Sequence, residues 1–141
     1  MKISDEQKID FLLEEYKMLR MEIESYSNQK RQLEIYIVSA ILVIYGWVNT
    51  LTEPTIKNIA LYSPTLLVVF GIYRFYFCNK VIEKQAEYIK HYIEQEFFLN
   101  SEKGWESFWQ KSNTLPILRW GEYLFWFSLL VMSIIVAITT K

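Results

Sequence analysis

The stretch LLVVFGIYRFYFCNK, residues 66–80, decides the fold because it determines whether the chain has two or three membrane-spanning helices. The uncharged run that leads into it, residues 58–73, has 16 residues. A helix needs roughly 17–25 residues to cross the hydrocarbon core, so this run qualifies only if Arg74 is included. A charge at the bilayer centre costs about 2.5–3.5 kcal/mol, so Arg74 must lie near an edge of the bilayer or serve a function.

Two further uncharged runs, residues 35–52 and 123–140, contain 18 residues each and meet the length requirement without help. The chain is 52% hydrophobic with 4 Gly and 3 Pro, a composition that favours long helices. Three such runs in 141 residues are more than the core of a soluble domain would hold. The sequence therefore predicts an all-α, polytopic membrane protein with three transmembrane helices and long cytoplasmic helices in an oligomeric bundle.

The charge pattern divides the chain into four segments. Residues 1–34 form a cytoplasmic heptad helix, and residues 35–79 hold transmembrane helices 1 and 2. Residues 80–120 hold a cytoplasmic amphipathic helix, followed by a stretch that is either a short helix in the headgroup region or a loop packed on the cytoplasmic layer. Residues 121–141 form transmembrane helix 3.

Basic residues set the predicted orientation. Six lie before the first span and six between the second span, which includes Arg74, and the third, whereas Lys57 and Lys141 alone lie on the other side. The positive-inside rule then predicts a cytoplasmic N-terminus and an external C-terminus. The polar N-terminus MKISDEQK predicts no cleavable signal peptide. In this topology Arg74 lies near the inner boundary, where it is either a snorkelling anchor in an aromatic belt or a functional arginine that faces a pore or a ligand. Helical spacing places it on one face with Gly71 and Cys78.

Apolar residues at heptad spacing form a seam on the first helix, here called the seam: Ile9, Leu12, Tyr16, Leu19, Ile23, Tyr26 and Leu33, with Lys30 as the one exception. No Gly or Pro separates the seam from the first span, so one helix is predicted from Asp5 to about Val48. Residues 80–98 carry a second apolar stripe: Ile82, Ala86, Ile89, Ile93 and Phe97. The two stripes pack on each other, on neighbouring copies, or both. Because this layer is too small to bury a core alone, we predict a homo-oligomer, a tetramer, joined through Leu12, Leu19 and Ile23.

Small and weakly polar residues form one stripe in the first span: Ser39, Val43, Gly46 and Thr50. A similar stripe in the third span consists of Gly121, Ser128, Met132 and Thr139. Such stripes mediate close helix packing, or they line a narrow pore when the helices surround an axis. The pore interpretation assigns the lining to the first of these stripes.

Chemistry is sparse. The single histidine, His91, shares a predicted helix face with Glu87 and Glu94. These three side chains could bind a metal or form solvated ion pairs, and the ion pairs are the preferred interpretation. No nucleophile–His–acid set, P-loop or zinc signature is present, so no enzyme, metal or cofactor is predicted. The one clear electrostatic feature is a group of basic residues at the inner membrane boundary, opposed by Glu34 and Glu83: Lys30, Arg31, Arg74, Lys80 and Lys84. The four predicted to bind a ligand, here called the basic collar, are Arg31, Arg74, Lys80 and Lys84. Repeated around a ring of subunits, this collar suits an anionic ligand or acidic lipid headgroups.

Three stretches together resemble a known group: EEYKMLRMEIESYSNQKRQLEIYIVSAILVIYGW, EKQAEYIKHYIEQEF and the turn GWE. The layout is similar to that of small bacterial membrane effectors of anti-phage defence, of the Hailong and cyclic-oligonucleotide type, and of the SLATT-like group. The resemblance implies a homo-oligomeric channel in the bacterial inner membrane. A nucleotide or oligonucleotide made by a partner nucleotidyltransferase would control this channel. The alternative is a non-conducting membrane scaffold that docks a partner protein through its cytoplasmic helices.

Overall fold

The structure is a computed structural model that describes residues 5–97, 104–105 and 115–139. Its regular elements are helices α1 (Asp5–Val48), α2 (Pro54–Tyr88), a π-helix π1 (Ile89–Glu94), α3 (Gln95–Phe97) and α4 (Leu115–Thr139). The predicted all-α class is confirmed for these residues, and α1 is the uninterrupted helix that the absence of breakers predicts. Helix α4 begins earlier than the predicted third span, with Pro116 in its first turn, where the missing N–H costs no helix hydrogen bond.

Within the described residues, three helices are long and apolar enough to cross a membrane: Glu6–Val48, Pro54–Phe97 and Trp120–Thr139. This agrees with the three predicted spans in number and place. The side of the membrane on which each terminus lies stays a prediction.

The chain divides into two compact units. The polar unit lies within Met1–Gln29 and Cys78–Leu115, and the apolar unit lies within Lys30–Phe77 and Pro116–Lys141. Helices α1 and α2 each contribute to both units, so the boundary falls within continuous helices.

The core of the apolar unit joins all three of its helices. It consists of Ile37 and Ile41 from α1, Val68 and Phe75 from α2, and Trp126 from α4. Lys30 and Tyr45 on α1 bond to Glu122 and Ser133 on α4, so the two helices run in the same direction. Near the far end of α1, Val48 packs with Ala60 and Leu61 at the start of α2, which therefore returns antiparallel to α1. This up, down, up order is the one that three membrane crossings require.

Gly71 lets the three helices of the apolar unit approach closely. A Cβ atom placed there would lie 2.6 and 2.7 Å from two ring carbons of Trp126 and would also overlap the side chain of Ile37. Real Cβ atoms do not come that close, so only glycine fits between α1 and α4 without displacing a neighbour. The close approach is the reason for a glycine inside an otherwise bulky span.

Pro64 lies within α2 and is buried, yet the helix continues through it. Proline has no N–H, so the carbonyl of Ala60, four residues earlier, loses its helical donor. The Ser63 hydroxyl donates to that carbonyl at 2.8 Å and replaces the missing bond. In a lipid environment an unpaired carbonyl is costly, so the adjacent serine makes the proline tolerable.

The polar unit is an antiparallel pairing of α1 with the end of α2 and the residues after it. Three side-chain pairs join the two helical segments: Lys8 with Glu96, Glu15 with Tyr88, and Glu22 with Gln85. Ile89 and Ile93 are buried, and the seam residues Leu12, Leu19 and Ile23 are half-buried. The two apolar stripes therefore cover each other at least in part within one chain, which was one of the predicted alternatives.

We expect Leu19→Asp to abolish the predicted oligomer, because a carboxylate in the seam would have to be desolvated on association. The measurement is chemical crosslinking in native membranes at matched expression. Leu13→Asp is the control, since Leu13 lies on α1 but is exposed. Unchanged crosslinked species in Leu19→Asp would show that the seam packs only within a subunit.

Candidate ligand-binding and pore-lining residues

The seam carries a lysine because Lys30 has partners in the apolar unit. Its ammonium donates to both carboxylate oxygens of Glu122, at 3.0 and 3.2 Å, and lies 4.6 Å from the ring centroid of Phe75. The Lys30 side chain is only 13% exposed and that of Glu122 is 43% exposed. The ion pair joins α1 to α4, and the cation–π contact joins α1 to α2. Sequence reasoning missed Glu122, because no spacing rule relates two residues so far apart in the chain.

Arg31 and Arg74 belong to the same unit, and both are exposed. The Arg74 guanidinium lies 5.5 Å from the ring centroid of Phe77, a contact that orients it over an aromatic face. Sequence spacing predicted that Arg74 would share a face with Gly71 and Cys78. Those two residues are buried whereas Arg74 is exposed, so Arg74 lies at the edge of that face.

Lys80 and Lys84 belong to the polar unit. Lys80 forms an ion pair with Glu83 at 2.8 Å, which reduces the positive charge that it adds to the predicted collar. Lys84 borders an open groove of about 370 Å³ with Glu87, Tyr88, His91 and Tyr92.

Two tyrosines give this groove an aromatic wall. The rings of Tyr88 and Tyr92 stack at 4.9 Å between centroids, and the Tyr88 hydroxyl donates to Glu15 at 3.0 Å. That hydrogen bond raises the pKa of the Tyr88 hydroxyl, so the tyrosine stays a neutral donor. Lys84 and His91 could attract an anion here, whereas Glu87 opposes one.

The four residues of the predicted basic collar are thus divided between the units, Arg31 and Arg74 in one and Lys80 and Lys84 in the other. The structure pairs two cations of this region with carboxylates: Lys80 with Glu83, which the sequence already placed near the collar, and Lys30 with Glu122, which it did not. A ligand site made from all four residues stays a prediction.

The π-helix changes the predicted face of Glu87, His91 and Glu94. An α-helical spacing placed the three side chains together, but π1 holds more residues per turn and shifts the register of the residues in it. Glu87 and His91 are exposed, whereas Glu94 is 5% exposed. Among the residues that the structure describes, no three His, Cys, Asp or Glu side chains form a group that could hold a metal ion.

The buried Glu94 carboxyl meets the backbone of Gly104. A Cβ atom at position 104 would overlap that carboxyl group, and Gly104 is itself buried. Glycine at position 104 therefore lets the backbone there lie close to the Glu94 carboxyl. The sequence contains the signal, the GWE turn, but nothing local identifies its partner.

The predicted pore-lining residues are all exposed: Ser39, Val43 and Gly46 lie on α1, and Thr50 lies in the turn just after it. The corresponding stripe on α4, Gly121, Ser128, Met132 and Thr139, is exposed as well. Around Gly46 and Gly121, apart from the adjacent residues and the backbone of the same helix, no atom of the described residues lies within 4 Å of an added Cβ. The close packing within this chain, at Gly71, therefore uses neither stripe.

Three hydroxyls of these two stripes donate hydrogen bonds to nearby backbone carbonyls. Those of Thr50, Ser128 and Thr139 donate to carbonyls of their own helices or helix ends, at 2.7, 2.8 and 2.9 Å respectively. Such bonds satisfy a hydroxyl in lipid while leaving its oxygen able to accept a further bond.

Comparison with known proteins gives no further guidance, since no protein-family model, curated protein or solved structure matches this chain.

Proposed function

We propose that this chain is a homo-oligomeric membrane effector whose spans form a pore, and that an anionic cytoplasmic ligand controls the pore. The observation that carries the proposal is the exposure of the small, weakly polar stripes on α1 and α4. Gly46 and Gly121 make no close contact among the described residues, so the residues that normally mediate close helix approach remain available for other copies.

The control rests on the charged residues and on continuous helices. Helices α1 and α2 each run from the polar unit into the apolar unit without a break, so a ligand that favours one arrangement of the polar unit can bias the spans. The ligand class follows from Arg31, Arg74, Lys80 and Lys84. The resemblance to anti-phage membrane effectors supports a nucleotide or oligonucleotide from a partner nucleotidyltransferase, with action at the bacterial inner membrane.

Thiol accessibility tests the pore directly, because Cys78 is the only cysteine and is buried. Val43→Cys and Leu66→Cys form a matched pair, since Val43 and Leu66 are each 71% exposed in the apolar unit. In planar bilayers, a charged thiol reagent should block the current through Val43→Cys and leave that through Leu66→Cys unchanged. The opposite pattern would remove α1 from the pore lining, and the absence of any current would reject the channel.

Arg74 should tolerate lysine if it is only a snorkelling anchor, because both side chains have a long stem and a terminal charge. If it binds a phosphate or carboxylate with two parallel N–H donors, lysine cannot replace it. We expect loss of ligand control in both Arg74→Lys and Arg74→Gln, measured as cell toxicity and ligand response at matched membrane expression. Lys57→Gln, on the predicted outer side, is the control. Normal control in Arg74→Lys would return Arg74 to an anchor.

The second candidate is a scaffold that docks a partner protein without conducting. The exposed apolar side chains on the polar unit, Phe11, Met18 and Met21, favour it. Tight co-purification of a partner in the absence of bilayer current would support the scaffold over the channel.

A further inference from the structure

The polar unit has a groove on α1 whose described lining residues include none of the predicted pore-lining or ligand-binding residues. Of the residues predicted to join copies, only Leu19 is among these lining residues. The groove has a volume of about 550 Å³, and its apolar lining consists of Phe11, Met18, Leu19 and Met21. Phe11, Met18 and Met21 are each more than half exposed. An exposed patch of neighbouring apolar side chains marks an interaction surface, whereas apolar side chains scattered singly do not.

The rim of the groove is acidic. Among the described residues that line it, every charged one is a glutamate: Glu14, Glu15 and Glu22. Two of these carboxylates are held in place from α2, Glu15 by the Tyr88 hydroxyl and Glu22 by the Gln85 amide. The groove therefore presents a floor that adapts to shape, because methionine is flexible and polarizable, within a rim of fixed negative charge.

We propose that this groove, here called the Phe11–Met18 groove, binds a basic amphipathic helix of a partner protein. An apolar helix face would fill the floor, and lysine or arginine on its flanks would pair with Glu14, Glu15 and Glu22. The same rim disfavours two other occupants. Anionic lipid headgroups would be repelled, and the same face of a second copy would bring glutamates against glutamates. The inference does not depend on whether the spans conduct.

The test uses the full-length protein in nanodiscs of zwitterionic lipid and a fluorescent peptide with leucine on one helix face and lysine on its flanks. A second peptide has glutamate in place of every lysine. Fluorescence anisotropy, corrected with empty nanodiscs, should show that the lysine peptide binds at least about tenfold more tightly, the difference that about 1.4 kcal/mol produces. Added salt should weaken that binding.

Two variants locate the binding at the groove. Met18→Ser should weaken the lysine peptide at least about tenfold, as loss of a central apolar contact does. The double variant Glu14→Lys with Glu22→Lys should reverse the preference between the peptides. Glu24→Lys is the control and should change neither, because Glu24 is an exposed residue of α1 outside the groove lining.

Three results would overturn the proposal. The first is equal binding of both peptides to the unmodified protein. The second is the same affinity in Met18→Ser, or in the double lysine variant, as in the unmodified protein. The third is a smaller oligomer in Met18→Ser without any peptide, measured by mass photometry, which would make the groove an interface between copies.

Discussion

Gly71→Val is expected to destabilise the apolar unit by about 1–3 kcal/mol, the usual cost of forcing extra methyl groups into a packed core. The new side chain would overlap both Ile37 and the Trp126 ring, and neither can move without disturbing the other helices. Because Trp126 and Ile37 belong to the buried core, relief must come from separation of α4 or α1 from α2. Thermal or denaturant unfolding of the detergent-solubilised protein, followed by tryptophan fluorescence, measures the change.

Gly46→Val is the matched control, since the described residues leave open space around Gly46. It should leave the unfolding of the protomer unchanged. If the stripe on α1 packs against neighbouring copies, the same substitution should reduce the oligomer, seen by crosslinking. Equal destabilisation by the two substitutions would contradict the assignment of Gly71 as the point of closest helix approach.

Lys30→Met is expected to destabilise the apolar unit by about 1–3 kcal/mol. Breaking a fully buried pair costs about 3–5 kcal/mol, and the lower figure allows for solvent at Glu122, which is 43% exposed. The variant leaves the Glu122 carboxylate without its cation and removes the ammonium above Phe75. Glu122→Gln should cost less, because the amide can still accept a hydrogen bond from Lys30.

A double-mutant cycle separates the pair from its surroundings. The exchange Lys30→Glu with Glu122→Lys should recover part of the stability lost in Lys30→Glu alone, although not the contact with Phe75. Lys8→Met is the control, because Lys8 and Glu96 form an exposed pair, and exposed pairs contribute about 0–1 kcal/mol. Additive effects of the two exchanged residues would mean that the ion pair does not join α4 to α1.

Local rules predicted what depends on local sequence. The extent of α1 follows from the absence of Gly and Pro before Gly46. Helix α2 begins at Pro54, four residues before the uncharged run, because a proline suits the first helical turn. The three apolar helices follow from the length of the uncharged runs. The half-buried state of Leu12, Leu19 and Ile23 follows from their period along the helix.

Features that depend on distant partners could not be predicted in this way. Lys30 looked like a flaw in the seam because Glu122 lies 92 residues further along the chain. The prediction that Glu87, His91 and Glu94 share a face depends on α-helical geometry. No residue type in this segment indicates that it forms the π-helix π1. Helical spacing relates Gly71 only to Arg74 and Cys78, whereas in the structure it lies against Trp126 and Ile37.

The consistent inner face of α1 limits the motions available to it. The half-buried Leu12, Leu19 and Ile23 and the buried Ile37, Ile41 and Val48 recur on one side of the helix from its polar end to its apolar end. Hydrogen bonds join each turn of an unbroken α-helix to the next, so a rotation about the axis at one end is carried to the other. Such a rotation would expose the whole inner face at once, whereas a small tilt or a slide along the axis keeps it covered. Any rearrangement that involves α1 should therefore be a tilt or a slide, and not a twist.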